Sequence, residues 1–314
     1  MKWRALGLAL GLILDRLVPD PQHGHPVAGF GQAAAAVEEH IYDDTVAAGA
    51  VHVAATLAPL ALAGAVVEGF GRGRAWWRVV STAAATWAVV GATSLAREGR
   101  LMADALEVDD LARARERLGH LCGRDADALD APELARATIE SMAENTADAA
   151  VASIFWGALL GVPGLVVHRG ANTLDAMIGH HNARYERFGT VAARLDDALD
   201  LIPARLTGAL FATLAGLAGG EPRAAWRVLA RDHAKHPSPN GGWCESAMAG
   251  ALGVQLGGRN IYYGGRVEER GLLGDGPRPD ARAVRRSTRL VGIATAAAGA
   301  LATAALLVAH PRRR

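Results

Sequence analysis

The sequence predicts an all-α, polytopic integral membrane protein. We expect about five to six apolar segments, at least one of which could be re-entrant, and polar helical loops that carry the site. Hydrophobic residues make up 51% of the 314 residues and the mean hydropathy is +0.13, although 21% of the residues are charged. The charges must therefore be segregated from the apolar runs. Small residues dominate these runs, which permits close packing of helices.

Composition excludes several classes of function. The net charge of +1 provides no basic field for nucleic acid. The two cysteines, Cys122 and Cys244, form no CxxC pair, and we expect free thiols in a reducing compartment. Neither a GxxxxGK[ST] loop nor a GxGxxG turn is present. We predict a single membrane-embedded domain over residues 1–314, with polar insertions at about 97–148 and 220–288.

The amino-terminal region begins with a short apolar run over residues 1–18. Lys2 and Arg4 precede the run, as in a signal peptide, but no A-x-A site follows, so we expect a retained span. The next stretch, residues 15–32, contains three prolines and three glycines, and we expect a rigid loop without regular helix. Asp20, His23 and His25 lie on it, and both metal binding and an ordinary polar loop are open readings.

The remaining spans are predicted from uncharged runs of sufficient length. Residues 149–167 are broken by glycines and by Pro163, which indicates a span or a re-entrant pair of half-helices lining a cavity. Residues 97–138 are predicted as polar helix, and residues 264–288 as a flexible connection. The other predicted spans are 45–67, 76–96, 201–219 and 290–309.

The distribution of arginines predicts the orientation. The loops at 97–138 and 220–288 and the C-terminus are rich in arginine, which places them in the cytoplasm. The loop at 19–43 contains neither lysine nor arginine and would lie outside if every segment crosses. If that loop belongs to the same site, at least one segment must be re-entrant.

Three carboxylates precede the broken apolar run. Glu140, Glu144 and Asp148 are spaced i, i+4, i+8 and share one face of a helix. Carboxylates stacked in this way repel one another, and a helix that keeps them usually has a cation on that face. Their oxygens suit Mg²⁺. The alternative is a solvated acidic face.

Polar side chains are denser after the broken run. Arginines hold phosphate through forked donors and aspartates hold Mg²⁺, so this region favours a nucleotide or phosphate site. A second polar group surrounds the turn HPSPNGG, at the start of a predicted helix whose amides could receive an anion. The candidates are Asn145, Asn172, Asp175, Arg184, Arg187, Arg194, Asp196, Asp197, Arg205, His236, Ser238, Asn240 and Glu245.

Five stretches carry a family resemblance. In chain order they are DPQHGHPVAGFG, IESMAENTADAAVASIFW, NTLDAMIGHHNARYERFG, ARLDDALDLIPAR and HPSPNGGWCESAMAGALGVQLGG. Together, from about Asp15 to about Gly265, they resemble the cobalamin-biosynthesis family CobD/CbiB, adenosylcobinamide-phosphate synthase. The departures are small, at Pro19, Ala149, Ser153 and the pair His180–His181.

The resemblance implies a multi-pass enzyme of the bacterial inner (cytoplasmic) membrane that makes an amide at the expense of ATP. It would join adenosylcobyric acid to (R)-1-amino-2-propanol or its O-phosphate. From it we expect ATP as co-substrate, Mg²⁺, a cytoplasm-facing site, contact with the lipid bilayer, and association with other membrane enzymes of the corrinoid pathway.

Roles are assigned to the candidates on this basis. Asn145 and Asn172 are suited to the amide side chains of a corrin. The predicted catalytic residues are Asp20, His25, Glu140 and Glu144. The predicted metal ligands are Glu140, Glu144, Asp148, Asp196 and Asp197. The predicted substrate-binding residues are Asn145, Asn172, Asp175, Arg184, Arg187, Arg194, Arg205, His236, Ser238, Asn240 and Glu245.

Two other functions are compatible with the residues. A transporter, or an accessory subunit for corrinoid precursors, would also have several spans and broken helices. A phosphotransferase acting on lipid-linked phosphates would also use aspartates and arginines. Its paired-aspartate signature is present only weakly, at Asp196–Asp200.

Overall fold

The structure is a computed structural model that describes residues 1–18, 20–21, 24–180, 182–261 and 267–309. The chain forms two compact units. The first contains residues 1–91, residues 148–200 and the end of the chain from Ala298, and the second contains residues 92–147 and 201–297. The single membrane-embedded domain stays a prediction.

Helices account for most of the described chain. They are, in order, α1 (Lys2–Leu17), α2 (Pro26–Ile41), α3 (Val46–Phe70), α4 (Ala75–Val89), α5 (Ala92–Glu107), α6 (Leu111–Leu118), α7 (Ala131–Thr146), α8 (Ala152–Leu160), α9 (Val162–Ile178), α10 (Thr190–Leu214), α11 (Pro222–Asp232), α12 (Gly241–Leu252) and α13 (Ala281–Val308). A π-helical segment, Ala147–Val151, joins α7 to α8.

Four helical stretches are long and apolar enough to cross a membrane. They are Val46–Phe70, Ala75–Glu107, Thr190–Ala218 and Ala281–Val308. Each contains one of the spans predicted at 45–67, 76–96, 201–219 and 290–309 or overlaps most of it. The chain is therefore an all-α polytopic membrane protein, as the sequence predicted.

Close packing through small residues holds α1 against α4. A Cβ atom on Gly7 would lie 2.6 Å from Cβ of Thr82, and one on Gly11 would lie 2.4 Å from Cβ of Thr86. Neither glycine can be replaced without moving the helices apart, because these distances are well below van der Waals contact. This is the small-residue packing expected of helices in a bilayer.

The loop predicted for residues 15–32 is wrong over its second half, because α2 begins at Pro26. Proline is favoured at the first helical position, where its missing N–H has no partner to lose. His25 caps this helix, since its Nδ1 accepts a hydrogen bond from the N–H of Val27 at 3.3 Å.

The flexible connection predicted from residue 264 is also wrong. Two antiparallel strands, β1 (Leu256–Ile261) and β2 (Val267–Leu273), pair in this region. The register shifts between Leu256 and Gly258, where Gly257 and Gly258 have φ angles of 76° and 98° that favour glycine. Glycine-rich composition indicated flexibility, but here it permits an irregular strand that pairs with its neighbour.

Candidate functional site

Two groups of histidine and carboxylate side chains, buried except for Glu144, stand out in the described part of the chain. The Glu144 cluster consists of Glu144, His236 and Glu245, in the second compact unit. The His168 cluster consists of His168, Asp196 and Asp200, in the first. In each cluster one ligand atom from every member lies within 4.8 Å of the others.

The turn before α12 orients the imidazole of the Glu144 cluster. Nδ1 of His236 accepts a hydrogen bond from the N–H of Ser238 at 3.0 Å. The Ser238 hydroxyl in turn accepts from the N–H groups of Asn240 and Gly241, at 3.2 and 3.1 Å. A Cβ on Gly241 would lie 2.5 Å from Oε1 of Glu144, so glycine allows the carboxylate to approach the helix end. The predicted residues Ser238 and Asn240 thus build the turn.

Charged groups converge on Nε2 of His236. This nitrogen lies 3.2 Å from Oε1 of Glu245 and 3.8 Å from Oε1 of Glu144. Arg270, from β2, donates to Oε1 of Glu245 at 3.1 Å and lies 2.9 Å from the same imidazole nitrogen. Among the described residues, Oε2 of the fully buried Glu245 has no hydrogen-bond partner, whereas the Glu144 side chain is 33% exposed. Glu144 is therefore the carboxylate of this cluster that is open to solvent.

The environment shifts both titrating groups towards protonation. Burial, together with the charges of Glu140 and Glu144, raises the pKa of Glu245 to about 7. Burial alone would lower the pKa of His236, but the hydrogen bond to Glu245 and the charges of Glu245 and Glu144 outweigh it and raise the pKa. Both side chains therefore retain a proton to higher pH than they would in water.

Glu140 has a different environment from Glu144, one turn away. Its carboxylate accepts hydrogen bonds from Arg124 at 2.5 Å, from Arg136 at 3.1 Å and from the N–H of Gly257 at 2.7 Å. Burial alone would raise its pKa, but the two guanidinium groups outweigh burial and lower the pKa to about 2. This enclosed ion pair is a structural arrangement, and it argues against the predicted catalytic and metal-binding roles of Glu140.

The predicted stack of three carboxylates is not continuous. Glu140 and Glu144 lie on α7, but Asp148 lies in the π-helical segment, where hydrogen bonds run from i to i+5 and the i+4 spacing no longer aligns side chains. Asp148 also belongs to the other compact unit. Its electrostatic interaction there is with Arg169.

The His168 cluster connects α9 to α10 and contacts α8. Nε2 of His168, on α9, lies 2.9 Å from Oδ1 of Asp200, on α10. The hydroxyl of Ser153, on α8, lies 3.2 Å from Nδ1 of His168. Asn172 donates a hydrogen bond to Asp196. The structure thus groups Asp196 with Asp200 and not with its neighbour Asp197.

The predicted phosphate-binding arginines lie in separate environments. Arg184 donates from Nε and Nη2 to Oε1 of Glu38, at 3.1 and 2.8 Å, and stacks 4.0 Å from the centre of the Tyr42 ring. Arg205 donates to the carbonyl of Leu201 at 2.6 Å. Arg187 and Arg194 are exposed. Their roles towards phosphate stay predictions.

The other candidates make local contacts. Nε2 of His25 lies 3.7 Å from Oδ1 of Asp20. The side-chain amide of Asn145 donates to the carbonyl and hydroxyl of Ser141, at 2.8 and 3.0 Å. Asp175, half-buried on α9, interacts electrostatically with Asp196. His23 and His181 lie outside the described residues.

Three residues in or beside these clusters were not among the predicted site residues: His168, Arg270, and Asp200, which the sequence analysis noted only in a weak paired-aspartate signature. His168 and Asp200 could have been found, because an ionisable residue within or beside an apolar run is a functional candidate and Asp200 stands at i+4 from Asp196. Arg270 gave no such signal, since the strand that carries it was not predicted.

Fold and site together define a helical membrane protein with two buried clusters, each built from one histidine and two carboxylates. The sequence model described as CobD/Cbib protein matches residues 8–291, and the chain belongs to the CobD/CbiB family.

The chain aligns with its relatives over most of their length. It is 48% identical over 299 residues to the cobalamin biosynthesis protein CobD of Mycobacterium tuberculosis H37Rv, covering 95% of each chain. It is 42% identical to the protein of the same name from Chromobacterium violaceum, over 96% of this chain and 97% of that one. It is 39% identical to the protein of the same name from Geobacter metallireducens, over 89% of this chain and 90% of that one. No solved structure matches the chain.

Proposed function

We propose that the protein acts in cobalamin biosynthesis as an ATP-dependent carbon–nitrogen ligase. It would join a propionate carboxyl of adenosylcobyric acid to the amine of (R)-1-amino-2-propanol or its O-phosphate, giving adenosylcobinamide or its phosphate. The observation that carries this proposal is membership of the CobD/CbiB family over residues 8–291. The names of the relatives support the pathway, and the reaction itself is our inference.

The chemistry requires activation of the carboxylate, because it has no adequate leaving group towards an amine. Transfer of the γ-phosphoryl group of ATP to a carboxylate oxygen forms an acyl phosphate and ADP. The amine nitrogen then forms a bond to the acyl carbon, the carbon–oxygen bond to phosphate breaks with its electron pair on phosphate, and the nitrogen loses a proton. Positioned cations stabilise such a phosphoryl transfer.

The Glu144 cluster suits the Mg²⁺ that would accompany ATP. Glu245 has a buried oxygen without a partner, Glu144 reaches solvent, and carboxylate oxygens are ligands that Mg²⁺ prefers. Glu144 and Glu245 would hold the ion, which would neutralise phosphate charge when bound. His236 and Arg270 would keep the Glu245 carboxylate in place through their contacts of 3.2 and 3.1 Å.

We place the protein in the inner membrane with this cluster facing the cytoplasm. ATP and corrin precursors are cytoplasmic, and the arginine-rich loop at 220–288, which contains His236 and Glu245, is expected on that side. Association with other membrane enzymes of the same pathway is part of the proposal.

The proposal is tested with protein purified in detergent. The protein is incubated with adenosylcobyric acid, either amine, ATP and Mg²⁺, and the amide product is detected by mass spectrometry. We expect product from the wild type and from Glu116→Gln, a matched change at an exposed carboxylate of the second unit, but at least about a hundredfold less from Glu144→Gln.

The broken helices on either side of Gly161 give the transporter alternative its support. No product with either amine, together with corrinoid flux into sealed vesicles without ATP turnover, would replace the ligase by a transporter.

A further inference from the structure

The structure assigns a second divalent-cation site, separate from the Glu144 cluster, to His168, Asp196 and Asp200. We propose that it binds a first-row transition metal such as Zn²⁺ or Mn²⁺ in preference to Mg²⁺, and that the ion ties α9 to α10. The site does not depend on the ligase activity proposed above.

Burial and missing partners point to a ligand in this cluster. His168 and Asp200 are each 1% exposed and Asp196 is 9% exposed. Within the described part of the chain, Oδ1 of Asp196 and Oδ2 of Asp200 nevertheless have no hydrogen-bond partner. A buried carboxylate oxygen left without a partner is energetically unfavourable, because its lost hydration is not replaced. A cation beside both oxygens removes this cost.

The charges of the surrounding groups also favour a cation. Arg169, on α9, interacts electrostatically with Asp196, and its Nη1 donates to Oδ1 of Asn172 at 3.3 Å. Its charge is shared with Asp148 and Asp20, which also interact with it. Two carboxylates and one guanidinium leave a net negative charge when the imidazole is neutral. Asp175 adds further negative charge near Asp196. Buried charges of this kind are normally paired or bound to metal.

The spacing of the ligand atoms fits one ion. Nε2 of His168 and Oδ1 of Asp200 are 2.9 Å apart. Two ligands about 2.1 Å from one metal and at right angles to each other lie about 3 Å apart. A small shift would therefore let an ion bind between these two atoms in place of their direct contact.

The hydroxyl of Ser153 can hydrogen-bond to Nδ1 of His168 both when Nε2 carries a proton and when Nε2 binds a metal. A hydroxyl can donate to Nδ1 when Nε2 carries the proton, and can accept from Nδ1–H when Nε2 binds metal. A ligand histidine normally has such a partner on its other nitrogen. The order serine, histidine, aspartate does not indicate a nucleophile here, because Ser153 is 0% exposed and no substrate can reach it.

The donor set selects the metal. Imidazole nitrogen together with carboxylate oxygen suits Zn²⁺, Mn²⁺ and Fe²⁺, whereas Mg²⁺ prefers oxygen alone. The nitrogen ligand therefore distinguishes this site from the pair Asp196 and Asp197 predicted from sequence to bind Mg²⁺.

The test is metal binding by the full chain in detergent. After chelation and dialysis, Zn²⁺ or Mg²⁺ alone is titrated and bound metal is measured by mass spectrometry, with the thermal midpoint as second readout. We expect Zn²⁺ to bind and raise the midpoint. Asp200→Asn should weaken binding by at least about tenfold, whereas Asp197→Asn, the matched change beside Asp196, and Glu144→Gln should retain it. The decisive comparison is made in the Glu144→Gln background, which disables the Glu144 cluster. Unchanged Zn²⁺ affinity when Asp200→Asn is added there, or equal affinity for Mg²⁺ in that background, would overturn the site.

If Asp200→Asn fails to fold, a second measurement on a variant with an intact His168 cluster still tests the site. In His236→Gln, which removes the imidazole of the Glu144 cluster, bound Mn²⁺ should show the pulsed-EPR coupling of an imidazole nitrogen. Binding without that coupling would rule out His168 as a ligand.

Discussion

Glu140 and Glu144 show how strongly the surroundings of a residue determine its role. They stand one helical turn apart and are chemically identical. Glu140 is enclosed by Arg124, Arg136 and the N–H of Gly257, while Glu144 is one-third exposed beside His236. The first carboxylate has its hydrogen bonds satisfied by protein, and the second remains available.

Substitution of the two glutamates should therefore have different consequences. Glu140→Gln removes the charge between two buried guanidinium groups, and we expect the free energy of unfolding to fall by about 3–5 kcal/mol. Glu144→Gln should change it by less than about 1 kcal/mol while lowering product formation at least about a hundredfold. Unfolding in detergent and amide synthesis measure the two effects. Equal destabilisation by both changes would contradict this assignment.

Glu245 predicts a dependence of stability on pH. Its pKa is raised from 4.5 to about 7, so the folded chain retains a proton that the unfolded chain has lost between these values. The contribution of Glu245 is therefore fully present below about pH 4.5 and lost as the pH rises through about 7. In Glu245→Gln the side chain does not titrate and makes no pH-dependent contribution. The free energy of unfolding of the wild type, relative to that of the variant, should therefore fall across this range by up to about 3 kcal/mol. Unfolding at both ends of the range tests this, with Glu116→Gln as control. A constant difference would contradict it.

At the scale of elements, the break between α8 and α9 depends on one glycine and one carboxylate. Gly161 has φ 75° and ψ −144°, a conformation that only glycine adopts readily. Glu68, on α3, accepts a hydrogen bond from the N–H of Val162 at 3.2 Å and another from Arg4 at 2.8 Å. A carboxylate at a helix N-terminus is stabilised by the N–H groups there. The break is therefore a built feature that begins α9 at a fixed point.

Gly161→Ala should destabilise the protein. The Cβ of the alanine would lie 2.5 Å from Oε2 of Glu68. Alanine would also be strained at this positive φ, and the strain lowers the free energy of unfolding by roughly 1–3 kcal/mol. Gly292→Ala is the matched control, because Gly292 lies within α13 with open space around it, and alanine there should stabilise by up to about 1 kcal/mol. Thermal midpoints in detergent compare the two. A Gly161→Ala protein as stable as wild type would show that the break needs no glycine.

The sequence predicted elements with unequal success. The spans were predicted correctly because mean hydropathy over a long window does not depend on how the helices pack. The start of α2 was missed because proline at a first helical position resembles proline in a loop. The strands β1 and β2 were missed because glycine and arginine are poor strand formers, and pairing between the strands overrides propensity.

At the scale of the molecule, the Glu144 cluster constrains the topology. Glu144 and His236 lie 3.8 Å apart and must therefore be on the same side of the membrane. The candidate span Thr190–Ala218 lies between them in the chain. If it crosses, the number of crossings between Glu144 and His236 must be even. Ser153 lies 3.2 Å from His168, so α8 and α9 fold back on each other at Gly161 and do not form one continuous span.

Cysteine labelling tests this topology. Ala128→Cys and Pro239→Cys, both at exposed positions of the second unit, are made singly in a Cys122→Ser, Cys244→Ser background. We expect neither to react with an impermeant reagent on intact cells and both to react after permeabilisation. Reaction of only one on intact cells would contradict the parity argument. Reaction of both would preserve it and reverse the cytoplasmic orientation.

The sequence by itself determined the helical membrane class, the four long spans and the family, because these depend on hydropathy over long windows and on ordered motifs. It also located Glu144, His236 and Glu245 as candidates. Only the tertiary structure decided which carboxylates meet: Glu140 faces arginines, Glu144 faces His236, and Asp196 faces Asp200 and His168. Helical spacing defines a face, but the partner of that face comes from residues distant in the chain, and their approach is set by packing.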